Sequence, residues 1–298
     1  MRHYTQNLLV CTLIASVWTV RCVASEPGRR YDDLWVNADE SRLRSPATAA
    51  GRGGISADER LEKLLWVNGV GIGLITVWGV INWDYFTRSP HAESEGWFDN
   101  DTSSGGQDKL GHLYSSYVAS HGLAALYEYW GFSRDAAAWH GAWSSWIIMG
   151  YMEFGDSFSD YGFAGEDMVA NTVGCTLGYF LYVHPGLQEK VDLRAEYGLD
   201  PNQGDVLTDY ENLKYLAALK LNGFEACRES WLRHIELHAG YYARGFEDDE
   251  PDRERNVFVG IGINLTDLFS RRSYRKTGTV LRYVQVPYTS VEHADDLN

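Results

Sequence analysis

The order of apolar and polar positions divides the chain into a helical part followed by a strand part. Ser56 with Glu59 three residues on makes a capping box, the start signal of a helix. An apolar run follows from Leu64 to Trp83, interrupted at Asn68, Thr76 and Asn82. A helix of about 20 residues covers ~30 Å, the thickness of a bilayer's hydrocarbon core. The run therefore reads as a membrane span or as the buried central helix of a soluble bundle. Gly69, Gly71 and Gly73 give it a stripe of small residues that admits a second helix at close range. A polar, acid-rich loop occupies 84–107. Asp108 opens a second helix, which runs to about Trp130, and Ser133 caps a third, to about Asp156. A turn at 161–165 leads into a fourth, from about Glu166 to Val183, which His184-Pro185-Gly186 stops. Beyond it, 191–230 reads as a connection of helical pieces and loops. Period-two alternation then appears in His234–Ala239 and in Val257–Ile263, across a charged connection at Glu247–Glu254. Thr279–Val286 is a candidate third strand.

This pattern predicts a mainly α protein. It is a membrane-associated helical bundle of about four helices, over 59–190, with a small C-terminal antiparallel β-sheet over 231–290. Residues 1–25 have the order of a signal peptide: Arg2 and His3, an apolar stretch from Asn7 to Val20, and the small residues Ala24 and Ser25 before Glu26. Arg21 stands just before Cys22, where a lipoprotein signal wants a small residue, so plain cleavage is preferred to lipidation. Residues 26–58 form a polar, glycine-containing linker. Cleavage removes Cys11 and Cys22 and leaves Cys175 and Cys227, too few for a disulfide scaffold. Cys175 lies in an apolar run and reads as a buried free thiol, although one bridge to Cys227 is open.

Charge and composition narrow the partners. Net charge is −15, from 41 acids against 26 bases, with no basic patch, which excludes nucleic acid. Aromatics make up 14%, with 19 Tyr and 11 Trp, residues suited to a membrane interface or to a Tyr-rich core. Membrane lipid is the partner this composition favours. Protein partners stay unknown.

Polar residues inside the helices carry the candidate chemistry. Asp108 and His112 are four apart, on one face of helix two, with Lys109 beside them. Glu153 and Asp156 close helix three. Asp167, Asn171, Gly174 and Gly178 share one face of helix four. If helices two to four pack as antiparallel neighbours, the start of two, the end of three and the start of four meet. Asp108, Lys109, His112, Glu153, Asp167 and Asn171 then form one partly buried cluster. His112, Glu153 and Asp167 are the candidates for catalysis or for a divalent metal, with Asp108, Lys109, Asn171 and Asp156 as binding residues. The bland alternative is interhelical hydrogen bonds around a Lys109 ion pair. Substitution of His112 or Asp167 by Ala should then do more harm than surface changes at Glu189 or Asp192.

The motifs Asp108-Lys109-Leu110-Gly111-His112, Glu153-Phe154-Gly155-Asp156 and Asp167 to Gly174 resemble the YfiM-like predicted periplasmic (lipo)protein family, whose function is unknown. Their order is also similar, more loosely, to VanZ-like membrane proteins. The resemblance is best over 97–182. It implies an exported protein of the periplasm or membrane of a Gram-negative bacterium and supplies no activity. No zincin, P-loop or nucleophile-elbow motif is present, and nothing marks Ser115 or Ser116 as activated. Two readings result. One is a membrane-associated envelope protein with a structural or lipid-binding role. The other is an envelope hydrolase acting on a lipid or lipid-linked substrate through a His/carboxylate site, with a divalent cation as the possible cofactor.

Overall fold

The computed structural model describes residues 55–198, 209–246, 253–269 and 275–298. The expected signal peptide and most of the linker lie outside the described residues.

Four long helices form the bundle: α1 (Ala57–Asn82), α2 (Gln107–Tyr129), α3 (Arg134–Asp156) and α4 (Gly165–Val183). The capping box is present. Ser56 Oγ accepts from Glu59 N at 3.2 Å, and Glu59 Oε2 accepts from Ser56 N at 3.0 Å. The polar breaks in the α1 run are where it docks on α3. Asn68 Nδ2 donates to Ser144 Oγ at 3.0 Å, and the Thr76 hydroxyl is 2.8 Å from that of Tyr151. Of the glycine stripe, Gly71 faces Ile148, while Gly69 and Gly73 face open space. Leu64, Val67 and Trp78 of α1 also pack inward, while Leu65, Trp66, Val70, Leu74, Val77 and Ile81 are exposed.

Helix α2 is the centre of the molecule, covered by α3 and α4 on one side and by the sheet on the other. This explains why it shows no single apolar face: both faces are buried, and its polar groups are bonded to neighbours. Ser116 O accepts from Ser145 Oγ at 2.9 Å, His121 Nε2 lies 2.9 Å from Gly178 O, and Tyr114 OH donates to Tyr283 O at 2.6 Å. Helix α4 comes close enough that a Cβ on Gly174 would collide with the Leu113 carbonyl. Cys175 is a buried free thiol and Cys227 is also unpaired.

The sheet has six strands in the order β5-β1-β2-β3-β4-β6. They are β1 (Val191–Tyr197), β2 (Leu213–Lys220), β3 (Ile235–Arg244), β4 (Glu254–Ile263), β5 (Val284–Gln285) and β6 (Ser290–Asp296). All neighbours are antiparallel except β1 with β5. The sheet is thus mixed and larger than the sequence suggests, and it starts at 191 instead of 231. The expected third strand over 279–286 is instead the end of a short helix (Arg275–Val280) followed by β5, while β6 was not anticipated.

Two causes explain these differences. Leu213, Leu216 and Ala217 in β2 have helical spacing and helix-forming composition, which the sheet overrides. In β1 the polar residues Asp192, Arg194 and Glu196 are the buried ones. Asp192, expected at the surface, is only 1% exposed.

Across the rest of the sheet the inner face is mixed, with Leu216, Ala218 and Phe258 buried beside charged residues. Lys214 on β2 reaches Glu292 on β6 at 2.9 Å, past two intervening strands, so the sheet is strongly curled. Its inner face carries an ionic network. Arg194 bonds both carboxylate oxygens of Glu236 at 2.6 and 3.0 Å, Lys220 Nζ meets Asp192 at 2.8 Å, and His238 Nε2 lies 2.9 Å from Glu236. The outer face rests on α2 around Tyr215 and Tyr241, is aliphatic and exposed along β4, and turns polar on β6 at His293 and Asp295.

Candidate functional site

Three helix ends and one loop meet at a buried charged cluster. The antiparallel packing brings together the start of α2, the end of α3 and the start of α4. Gly106, at φ 80°, turns the 84–106 loop into α2, and a Cβ there would strike Trp97 and Phe98. Ser104 Oγ donates to Asp108 Oδ1 at 2.5 Å.

Lys109 is the resident cation. Its Nζ lies 2.7 Å from Glu95, 2.5 Å from Asp108 and 2.8 Å from Asp167, and its side chain is 1% exposed. His112 bridges the other two helices, with Nδ1 3.2 Å from Glu153 Oε1 and Nε2 3.7 Å from Asp167 Oδ2. Asn171 donates to Glu153 Oε1 at 3.4 Å and accepts from Ser116 Oγ at 2.8 Å. All six residues expected to converge do so. Asp156 stands at the rim, close enough to Tyr85 and Glu153 for its charge to act on both.

The sequence reading missed Glu95, Ser104 and Tyr85. The acidity of the 84–107 loop was visible, but a loop has no period to show which of its acids turns inward. Ser116, set aside as a nucleophile, is buried and bonded to Asn171, and Ser115 is exposed.

Five carboxylates crowd one ammonium here, and burial sets their protonation. Burial, then the charges of Asp167, Asp156 and Glu95, push Glu153 up to about 9. Burial raises Asp156 to about 7, with Asp167 adding to it. Burial and the hydrogen bond with Asp108 raise Glu95 to about 7. Against the cost of its burial, Asp108 is held below its ordinary value by its bonds to Glu95, Lys109 and Ser104. Burial lowers His112. At neutral pH the cluster therefore holds a protonated Glu153 beside a neutral imidazole, 3.2 Å apart, with His112 Nδ1 making no hydrogen bond among the described residues.

Two triads have atoms close enough together to hold a metal ion: His112, Glu153 and Asp167, and Glu95, Asp108 and Asp167. The Lys109 ammonium already fills the second. The first offers one imidazole and two carboxylates, a donor set that suits a divalent cation.

Fold and site together define a helical bundle with a proton-holding ionic cluster at one end, braced by a curled sheet. Residues 94–183, which hold the entire cluster apart from Tyr85, match a family described as "Predicted periplasmic lipoprotein (DUF2279)". The expectation of an exported protein of the periplasm or membrane agrees with that description. The matched segment does not reach Cys22, so it leaves the choice between lipidation and cleavage where the leader put it. No curated protein and no solved structure matches the chain.

Proposed function

We propose that this protein is a membrane-associated component of the cell envelope with a structural or lipid-binding role. The observation that carries this reading is α1. Among the described residues it alone is long and apolar enough to cross a membrane, and it is hardly buried by the rest of the molecule. A soluble bundle would hide such a helix at its centre. Trp139 and Trp143 on α3 and Phe180 on α4 are exposed as well, adding aromatic surface of the kind that settles at a bilayer interface.

The test is fractionation of the full chain expressed with its leader in a Gram-negative host. Wild type is expected in the membrane pellet after an alkaline carbonate wash. A variant with Leu65→Asp, Val70→Asp and Leu74→Asp is expected to be washed off. Wild type in the wash supernatant counts against membrane association.

A second reading, a cation-dependent hydrolase of a lipid or lipid-linked substrate, is favoured by the His112, Glu153 and Asp167 triad. Purified protein would then carry a stoichiometric divalent metal that His112→Ala loses. Metal-free protein in both forms removes this reading and leaves the first.

A further inference from the structure

The inner face of the sheet buries charge beside a small apolar cluster of Leu216, Ala218 and Phe258, while part of the outer face leaves aliphatic side chains uncovered. Asp192, Arg194, Glu236 and His238 on the inner face are at most 3% exposed. On the outer face Val257, Val259, Ile261 and Ile263 of β4 are 41–60% exposed, and Val291 of β6 is 81% exposed. These residues lie in one patch, because Ile261 pairs with Leu237 on one side and with Val291 on the other. The inner charges are paired with one another, so their burial is built in. Strands that turn charge inward and aliphatic side chains outward are arranged for surroundings less polar than their own interior.

We infer that the outer face of β3, β4 and β6 is seated in the acyl layer of the membrane. This deepens the membrane association proposed above and rests on it. The ends of the patch favour lipid over a second protein. At the end where β3 begins and β4 finishes, Trp231 is 72% and Tyr288 is 88% exposed, each on a connection leading into a strand. Amphipathic rings standing free at the margin of an aliphatic face suit the headgroup level of a bilayer. Toward the other end the patch becomes polar: on β6 His293 stands beside Val259 and Asp295 beside Val257, and Glu254 and Arg255 follow on β4. The acids of β6, the edge strand on this side, also disfavour edge-to-edge pairing with a second copy. From Val257 to Ile263 the aliphatic stretch measures roughly 20 Å at strand rise, less than a ~30 Å hydrocarbon core. The sheet therefore enters one leaflet and does not cross.

The test uses the full chain in vesicles of phosphatidylethanolamine and phosphatidylglycerol containing a phospholipid with a photoactivatable diazirine on its acyl chain. After irradiation, labelled peptides are mapped by mass spectrometry. Label is expected on α1 and on Val257–Ile263, with the charged 292–298 segment at least several-fold less labelled. Label on α1 without label on Val257–Ile263 overturns this inference and leaves membrane association intact, and a cross-linkable dimer in that sample would identify a second copy as the cover. Label on neither segment overturns both.

Discussion

Replacing Glu153 by Gln should stabilise the protein at alkaline pH, although it removes a buried residue of the cluster. Its carboxyl titrates near 4.5 when unfolded and at about 9 in the folded protein. Between those values the native state holds a proton that the unfolded chain has released, so stability falls as pH rises through the window. Each pH unit is worth ~1.4 kcal/mol for one fully coupled proton, a ceiling of about 4 kcal/mol from pH 5 to pH 8. The neighbouring carboxylates share in the protonation, so about 2 kcal/mol is expected from this one substitution. Gln keeps the shape and has no proton to lose. In detergent-solubilised protein followed by circular dichroism, Glu153→Gln should match wild type near pH 5. At pH 8 it should melt about 4–8 °C higher, at roughly 2–4 °C per kcal/mol for a chain of this size. Asp156 and Glu95, both raised to about 7, carry the same sign, so a gentler loss with pH should persist in the variant. Parallel pH profiles for the two proteins, or a variant less stable at pH 8, would refute the reasoning that a proton on Glu153 holds the cluster together.

Lys109→Met leaves Glu95, Asp108 and Asp167 without their shared cation, and should cost about 3–5 kcal/mol by denaturant titration, more at pH 8 than at pH 5. Gly174→Val should destabilise by about 1–3 kcal/mol, because its side chain meets the Leu113 backbone. Asp192→Ala should cost about 3–5 kcal/mol by removing the buried partner of Lys220 and Arg194. Glu189→Ala, whose exposed contact with Arg228 is 3.7 Å long, should cost under about 1 kcal/mol in the same titration.

The helices and the cluster were legible for the same reason. Asp108 with His112, and Asp167 with Asn171, sit at helical spacing, and short turns at 130–133 and 157–164 leave little choice but antiparallel neighbours. Spacing within each helix chose the face, and turn length chose the end. Glu95 reaches the same cluster from a loop, where neither rule applies.

The sheet was read in part, and the parts that failed share a cause. Alternation showed β3 and β4, because Val257, Val259, Ile261 and Ile263 mark a strand whichever way they point. The pattern does not say which face is buried; the usual assumption is that the apolar one is. Under that assumption Asp192, Arg194 and Glu196 made β1 look like solvated connection, and Asp192 like a surface position. Their burial rests on pairing: Arg194 meets Glu236 and Asp192, and Lys220 meets Asp192. On the membrane seating inferred above, Val259 and Ile261 face an apolar neighbour on the other side. The same reasoning covers α1, whose Asn68 and Thr76 turn toward Ser144 and Tyr151 while Leu65, Val70 and Leu74 turn away from the protein. Within α1 the docking face also takes in Leu64, Val67 and the buried Trp78, so what marks the uncovered side is the absence of polar breaks along it.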